Sequence, residues 1–515
     1  MILPDGFIEK HKNEIDGILN CFDRVVLLGT LPNFCHPGAM TGYLFSQNIR
    51  VFDYTKFARD IRDQIKANAE RLAHQNGFEI EYINKKNFRK EDRIRSILEK
   101  RGTHPGLVHI FSGLEVCTTY QPYHDKNTGK NYLRWDNGKC LHYYFYFIDK
   151  VLGLCFLRVP THCPFRLEFY FNGHNRLDYL LEKAGVAYEK QDNAFTKIAD
   201  FSKANQLASE IDIRKLHAKL DRIAETYCPF LRELLLSYHW SLMQVEYSTD
   251  IVFKRVEDLQ PFYSELLQTL VHSVKPENIA TFLGKKELSP IFKGEAITSL
   301  QRRRLGTRIK HEMGPVSIKM YDKFGKVLRI EVTVVDVSFF RVYRTVQTRN
   351  GDKQDKWTKM KKSIYSLLSL QNVLSAANHR YLEFLGLIQT HERGVKSLEK
   401  ITSSKKESQH CYKGFSLFSL EDLQLWKALL RGEFTAFGFR NSALRKYLPL
   451  NAGQMTRLLK RLRVHGLIKK VGTRHKYYLT RLGMNIATAV LKIRDLILIP
   501  QLSPYQATSN AFAAK

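Results

Sequence analysis

The stretch from Leu417 to about Ile499 constrains the fold of this chain more than any other. Leucines recur at helical spacing in 443–448 and again in 451–464, so each segment is predicted to form an amphipathic helix. Gly466 tolerates the positive φ that commonly ends a helix. Two short β-prone runs then flank the Gly472–Thr473 pair, which is typical of a hairpin turn. The sequence therefore predicts two successive helices followed by a β-hairpin.

The cations of this region fall mostly away from the apolar stripe of the second helix. A helix of this kind can press a basic face into a groove of a nucleic acid, and a hairpin beside it can contact the backbone. The predicted nucleic-acid contacts are Gln454, Thr456, Arg457, Lys460, Arg461, Arg463, Arg474 and Lys476.

The order of these elements resembles the winged helix-turn-helix of the MarR and ArsR regulators. The resemblance covers roughly the last 80 residues and rests on a basic hairpin and two flanking motifs, Leu462-Arg463-x-His465-Gly466-Leu467-Ile468 and Tyr477-x-Leu479-Thr480. It implies a DNA-binding domain. A winged helix used for protein contacts or for dimer packing is the alternative.

The net charge of +30 points to a polyanionic partner, and in the cytoplasm that is most often nucleic acid. The charge is concentrated in two windows. Residues 431–481 hold 13 Lys or Arg against one acid, and residues 291–362 hold 18 against seven. The second window lies far from the predicted winged helix, so we expect a second basic site.

Within the second window, residues 317–334 alternate as a β-hairpin around Phe324-Gly325-Lys326. Period-two alternation places cations, a phenol and a carboxylate on one face. That face carries Lys319, Tyr321, Lys323, Arg329 and Glu331. The predicted phosphate contacts here are Arg308, Lys319, Lys323 and Arg329.

The pattern Lys319-x-Tyr321-x-Lys323 followed by Leu328-Arg329-Ile330-Glu331 resembles a hairpin of phage and plasmid replication initiators that nick DNA through a tyrosine. The resemblance covers about 30 residues and implies Tyr321 as the nucleophile. Those enzymes carry a His-hydrophobe-His metal motif, and this sequence has none. The alternative is a phosphate-contacting hairpin in which Arg329 and Glu331 are structural.

Most of the chain resembles a family of uncharacterised bacterial proteins that end in a MarR-like winged helix. The segments that carry this resemblance are 88–93, 138–149 and 169–174. It implies no activity.

Several carboxylates are candidates for a metal-dependent nuclease or strand transferase, with Mg²⁺ as the candidate ion. The predicted catalytic set is Tyr321, Asp322, Glu331, Glu246 and Asp250. Ion pairing is the competing explanation, because an isolated carboxylate is costly to bury. It would join Glu168 to Arg158 or Arg166, and Glu246 to a nearby arginine.

The fold class is predicted as α+β and multidomain, with a central mixed sheet and a C-terminal winged helix-turn-helix. The predicted parts are an α/β domain at 1–103, a sheet and helical domain at 104–285, a basic hairpin and helical region at 286–392, a linker at 393–413, the winged helix at 414–500 and a tail at 501–515. We see no internal repeat. The aromatic strands around 141–148 are expected to be packed on both faces, with base stacking as the alternative.

The eight cysteines form no Cys-x-x-Cys pair, and neither a signal peptide nor a membrane-length apolar run is seen. We therefore expect reduced thiols in a cytoplasmic protein. The preferred function is DNA binding of a replication or mobile-element type, with strand processing as a further hypothesis. A MarR-like transcription regulator without enzymatic activity and an RNA-binding component of a ribonucleoprotein are the alternatives.

Overall fold

The computed structural model describes residues 6–85, 87–285, 295–303, 306–347, 351–389, 392–407, 409–471 and 475–502. The chain divides into two compact units, Met1–Ile388 and Gln389–Lys515. It is a mixed α/β structure built on a large central sheet.

In the described part of the first unit, eleven strands form one sheet in which β2 and β3 are the sole parallel pair. The strand order is β10-β11-β12-β13-β9-β1-β6-β5-β4-β3-β2. These strands are β1 (Ile15–Thr30), β2 (Glu81–Tyr82), β3 (Gly106–His124), β4 (Asn131–Asp149), β5 (Gly153–Pro160), β6 (Leu167–Asn172), β9 (His239–Phe253), β10 (Ala296–Arg303), β11 (Gly306–Met313), β12 (Val316–Lys323) and β13 (Val327–Val334). Two separate hairpins are β7 (Tyr188–Gln191) with β8 (Ala194–Ile198), and β14 (Arg341–Gln347) with β15 (Lys353–Lys359).

The helices of the first unit are α1 (Gly6–His11), α2 (Pro37–Ser46), α3 (Tyr54–Gln75), α4 (Lys90–Arg101), α5 (Gly173–Lys183), α6 (Phe201–Ser209), α7 (Ile213–Tyr227), α8 (Phe230–Glu233), α9 (Val256–Ser273), α10 (Pro276–Phe282) and α11 (Leu367–Gln389). The long amphipathic helices α3, α7, α9 and α11 cover one face of the sheet and bury the main core against it. On the other face, α5, α6 and the β7–β8 hairpin cover β1, and α4 covers β3 and β4. The aromatic strands are therefore packed on both faces, as the sequence predicted.

Apart from the additional edge strand β2, the sheet consists of two halves with the same strand topology. In the first, β1 is followed by helices and by the meander β3-β4-β5-β6, whose last strand returns to pair with β1. In the second, β9 is followed by helices and by the meander β10-β11-β12-β13, whose last strand returns to pair with β9. Each meander is followed by a hairpin and a long helix, and β1 pairs with β9 in antiparallel fashion at the seam.

This duplication corrects two sequence expectations. The three domains predicted over 1–103, 104–285 and 286–392 are joined by one continuous sheet within one compact unit. A structural repeat is present although none is visible in the sequence.

The second unit has its own apolar core. Its elements are α12 (Glu392–Thr402), β16 (Lys405–Glu407), β17 (His410–Tyr412), α13 (Leu420–Leu429), α14 (Gly432–Phe437), α15 (Asn441–Leu444), α16 (Ala452–Val464), β18 (Ile468–Val471), β19 (Lys476–Leu479), α17 (Arg481–Ile493) and α18 (Ile499–Leu502). The predicted linker at 393–413 is instead a helix and a hairpin, because Ile401 is buried in this core. The predicted tail lies, from residue 503 on, outside the described residues.

Candidate functional site

Polar and charged side chains converge on one face of the sheet, where β1, β9, β13 and β12 lie side by side. We call this set the polar cluster. It comprises Asp23, His174, Asn193, Glu246, Asp250, Lys319, Tyr321, Lys323, Arg329 and Glu331. Alternate residues of a strand share a face, and the register places Lys319 beside Glu331 and Arg329 beside Asp250. Alternation along each strand thus determines which side chains lie on this face of the sheet, and the pairing of the strands determines which of them are neighbours.

Arg329 lies at the centre of the cluster and is fully buried. Its Nε and Nη2 donate to the two oxygens of Asp250 at 2.6 Å each, and Nη1 lies 3.3 Å from Asp23 Oδ2. Nη2 also donates to the carbonyl oxygen of Asn193 at 2.7 Å. Burial opposes ionisation of Asp250, but the charge of Arg329 outweighs it, and the pKa of Asp250 falls to about 2. The pKa of Asp23 is lowered for the same reason.

His174 completes this buried network. Its Nε2 accepts from Arg329 Nη2 at 3.0 Å, and its Nδ1 lies 3.3 Å from Asp23 Oδ1. Asn172 holds the histidine in place, because its Oδ1 accepts from the His174 backbone at 2.8 Å while its Nδ2 donates to Asp23 at 2.7 Å. Gly173 permits the close approach, since a Cβ there would lie 2.1 Å from the Phe22 carbonyl oxygen.

The second part of the cluster is built around Lys319. Its ammonium lies 2.6 Å from Glu331 Oε1 and 3.3 Å from Glu246 Oε1. Burial alone would lower the pKa of Lys319, but the two carboxylates outweigh it and raise the pKa. Burial, and then the charge of Glu331, raises the pKa of Glu246 and of Tyr321. The Tyr321 hydroxyl is therefore protonated and donates to Glu331 Oε2 at 2.6 Å.

Three carboxylates of the cluster have metal-ligand spacing. One oxygen each of Asp23, Glu246 and Glu331 lies within 4.8 Å of the other two. Carboxylate oxygens are suitable ligands for Mg²⁺. The Lys319 ammonium contacts both glutamates, so a divalent ion would compete with it for the same oxygens. These three residues are the ones that would hold such an ion.

The predicted catalytic residues are thus only partly brought together. Glu246 and Glu331 both contact Lys319, and Tyr321 donates to Glu331, whereas Asp250 is held by Arg329. Asp322 does not belong to the cluster. Its side chain points to the opposite face of β12 and accepts from Gln260 Nε2 at 2.8 Å, because neighbouring residues of a strand alternate between faces.

Three of the four predicted phosphate contacts in this region, Lys319, Lys323 and Arg329, also need correction. Arg329 is 0% exposed and Lys319 is 8% exposed, and carboxylates neutralise both, so neither presents its charge to a phosphate. Lys323 is hydrogen-bonded to Asn193, and burial, then the charge of Arg329, lowers its pKa. Arg308 lies beside Tyr321 and donates to Gln301 at 2.7 Å.

A related arrangement occupies the other half of the sheet. Arg158 lies beside Glu168 in the register, as Lys319 does beside Glu331. Its guanidinium lies 2.7 Å from Glu168 and 2.6 Å from Glu115, and the Tyr144 hydroxyl donates to Glu115. Of the two predicted partners for Glu168, Arg158 is the one observed. Glu246 pairs with a lysine rather than with the predicted arginine.

In the second unit, Asn451 begins α16 with a capping box that uses the Gln454 side chain. Arg457 and Arg463 are exposed on this helix, and Lys476 is partly exposed on β19. Thr456 Oγ1 is hydrogen-bonded to the Ala452 carbonyl at 2.9 Å. Arg474 lies outside the described residues.

Two predicted contacts in this unit have structural partners instead. Arg461 donates to the carbonyls of Lys413 at 2.8 Å and Gly414 at 2.6 Å, and it lies 3.4 Å from Asp422. Lys460 forms an ion pair with Glu407. Both partners come from segments outside the helix, so periodicity within α16 could not identify them.

Sequence reasoning missed Asp23, His174 and Asn193 as members of the polar cluster. Their contacts with Arg329 span more than 130 residues of sequence. Nothing in the local sequence Asn172-Gly173-His174 indicates what the histidine contacts.

In comparison with known proteins, no family model, no curated protein and no solved structure matches this chain. Among the described residues, no helix is long and apolar enough to cross a membrane.

Proposed function

We propose that this chain binds nucleic acid, preferably DNA, through its second unit, and that this unit is a winged helix-turn-helix. The observation that carries the proposal is the order of elements. Helices α13 and α14 are followed by extended Phe439, the helices α15 and α16, the hairpin β18–β19 and helix α17. Phe439 forms an isolated antiparallel β-bridge with Tyr477 of β19, next to the hairpin. A capped helix beside such a hairpin is the arrangement that winged helices present to the major groove.

The exposed side chains of α16 suit this role. Arg457 and Arg463 project cations from the helix, and Arg445 and Lys446 add exposed cations between α15 and α16. Arginine can contact guanine edges in a bidentate manner as well as phosphates. With Arg461 and Lys460 used for packing, Arg457 and Arg463 are the side chains that we expect to contact DNA.

The wider assignment is a cytoplasmic protein of replication or mobile-element type. It rests on the resemblance of the β12–β13 hairpin to that of phage and plasmid initiators and on the net charge of +30. A MarR-like regulator would need only the second unit to bind DNA. An RNA-binding component would prefer RNA over duplex DNA.

Fluorescence anisotropy with labelled duplex DNA, single-stranded DNA and RNA tests the proposal. We expect Arg457→Ala to weaken duplex binding about tenfold and to reduce the dependence of log K on log salt by about one. Lys427→Ala, which removes an exposed cation from α13, is the matched control and should bind as the unaltered chain does. Equal binding by both variants would contradict the assignment of α16, and a preference for RNA would favour the ribonucleoprotein alternative.

Metal-dependent strand processing is a second candidate function. The specific observation in its favour is the spacing of Asp23, Glu246 and Glu331 beside the Tyr321 hydroxyl. Labelled single- and double-stranded substrates should be cleaved or joined with Mg²⁺ or Mn²⁺, and chelator or Glu246→Gln should abolish the reaction. Unchanged substrates under all these conditions would exclude this second function while leaving nucleic-acid binding untouched.

A further inference from the structure

The β14–β15 hairpin presents an exposed basic surface with two aromatic rings. Its strands pair Arg341 with Lys359, Tyr343 with Trp357, and Gln347 with Lys353. These residues point to one face, and all of them are exposed. We call this surface the hairpin face.

The aromatic pair is unusual because large rings are normally buried. Trp357 is 65% exposed and Tyr343 is 61% exposed, with ring centroids 5.9 Å apart. The other exposed tryptophan, Trp135, is 49% exposed and packs against Tyr120 at 5.0 Å, whereas Trp240 and Trp426 are fully buried. Exposed rings that lie next to one another mark a binding surface more often than they serve folding.

The charge of the hairpin face indicates the kind of partner. Arg341 and Lys359 form the pair next to the rings on this face, and Lys353 lies beyond the Thr345–Asp355 pair on the other side. In the described part of the chain, none of these three cations forms an ion pair. The single acid on this face, Asp355, accepts a hydrogen bond from Thr345 at 2.6 Å. The hairpin face therefore has an excess of positive charge along the strands that carry the two rings.

The corresponding hairpin in the other half of the sheet is used differently. In β7–β8, Phe195 and Ile198 are buried in a core that covers β1. The turn of that hairpin contributes Asn193 to the polar cluster. At equivalent positions of the two halves, the β7–β8 hairpin is packed in a core and the β14–β15 hairpin exposes its rings. The shared fold therefore does not require the exposed rings.

We propose that the hairpin face binds single-stranded nucleic acid, with unpaired bases stacked on Trp357 and Tyr343 and phosphates contacted by Arg341, Lys353 and Lys359. Every base offers a π face, so aromatic stacking tolerates any sequence, and cations beside the rings follow the backbone. The proposal rests on the proposed nucleic-acid function but uses a surface in the first unit, far in sequence from α16.

The tryptophan itself provides the measurement. In a Trp135→Phe background, Trp357 is the sole exposed tryptophan among the described residues. Titration of the full chain with a single-stranded DNA oligonucleotide of mixed sequence should quench its emission. Trp357→Ala should lower the affinity for this oligonucleotide about 5- to 150-fold, as expected when a base loses its stacking partner. Trp357→Phe should restore most of the affinity, because a ring remains.

Tyr82→Ala is the matched control, since Tyr82 is 53% exposed on β2 and belongs to no basic hairpin. Far-UV circular dichroism should be unchanged in every variant, because each substituted side chain is exposed. Double substitution Arg341→Gln and Lys359→Gln should weaken binding and reduce the slope of log K against log salt by about 1.4, since each phosphate contact on a single strand contributes about 0.7.

Unchanged Trp357 emission, or equal affinity of Trp357→Ala and Tyr82→Ala, would overturn the proposal. An equal response to polyglutamate would overturn it in favour of an acidic protein partner. These failures are distinguishable from failure of the proposed function, because Arg457→Ala reports on duplex binding by the second unit and is independent of Trp357.

Discussion

Arg329 is the residue that connects the buried part of the polar cluster. Its guanidinium joins Asp250 on β9, Asp23 on β1 and His174 on α5. A buried ion pair contributes little net stability compared with an apolar pair, but the loss of one partner leaves an uncompensated charge. We therefore regard Arg329 as a structural residue that positions the carboxylates of the polar cluster.

Arg329→Met is expected to lower the free energy of unfolding by about 3–5 kcal/mol, because Asp250 and Asp23 would remain buried without their cation. Urea denaturation followed by circular dichroism measures this change. Arg50→Met is the control, since Arg50 is 87% exposed and its loss should stay within about 0.5 kcal/mol. A similar small change for Arg329→Met would mean that the cluster is open to water.

His311 makes the stability of the first unit sensitive to acid. It is fully buried and hydrogen-bonded to Thr298 at 2.9 Å and Tyr381 at 3.1 Å. Burial lowers the pKa of His311 from 6.5 to about 4, so the unfolded chain takes up the proton first. Stability is therefore complete above about pH 6.5 and is lost as the pH falls through about 4.

The free energy of unfolding is expected to change by at most about 1.4 kcal/mol per pH unit for one proton. This change is measured as the free energy of unfolding between pH 7 and pH 4. His311→Gln should reduce the slope, whereas His104→Gln, at an exposed position, should leave it unchanged. Some slope should persist in His311→Gln, because burial also lowers the pKa of His142 to about 4.

At the scale of the element, α16 separates residues that look equivalent in sequence. Arg457 and Arg461 are one helical turn apart, yet Arg457 is exposed and Arg461 binds two backbone carbonyls and lies over the ring of Phe415. The hydrophobic stripe predicted the helix correctly. The 413–415 segment, which packs beside α16, determines which cations of the helix remain exposed.

Arg461→Ala should lower the stability of the second unit by about 1–3 kcal/mol, because the carbonyl of buried Gly414 loses its donor and Phe415 loses the guanidinium over its ring. Arg457→Ala should leave the stability unchanged and weaken DNA binding. Thermal unfolding and anisotropy measured on both variants test this separation. The reverse result, a stable Arg461→Ala with impaired binding, would mean that Arg461 turns outward to contact DNA.

At the scale of the whole molecule, the chain combines a duplicated sheet with a separate helical unit. The seam between the halves is the β1–β9 ladder, and the polar cluster lies along it. The second unit has a core of its own, which includes Trp426, Met455 and Leu462. Separate cores predict separate unfolding.

Differential scanning calorimetry of the full chain should therefore resolve two transitions. A fragment that spans residues 392–502 should unfold at the temperature of one of them and should bind duplex DNA by itself. The fragment 1–237, by contrast, should not fold stably, because it ends before β9 and exposes β1 as an unpaired edge. A single transition for the full chain would show that the two units are energetically coupled.

The elements that could be predicted from the sequence are those whose signals lie within the segment itself. The β12–β13 hairpin, the β4–β5 hairpin and helix α16 follow from alternation, turn residues and helical spacing. The domain boundaries could not be predicted from the sequence, because one sheet continues through segments whose compositions differ. The linker at 393–413 looked polar, but a single buried residue, Ile401, anchors it to a core.

By itself, the sequence determined which residues share a face and how much charge the chain carries. It placed Lys319, Tyr321, Arg329 and Glu331 together because a strand alternates with period two. Only the tertiary structure decided that Arg329 is buried against Asp23 and Asp250, and that Trp357 is exposed. The physical reason is that burial depends on which distant strands and helices pack together, and those contacts leave no periodic trace in the sequence.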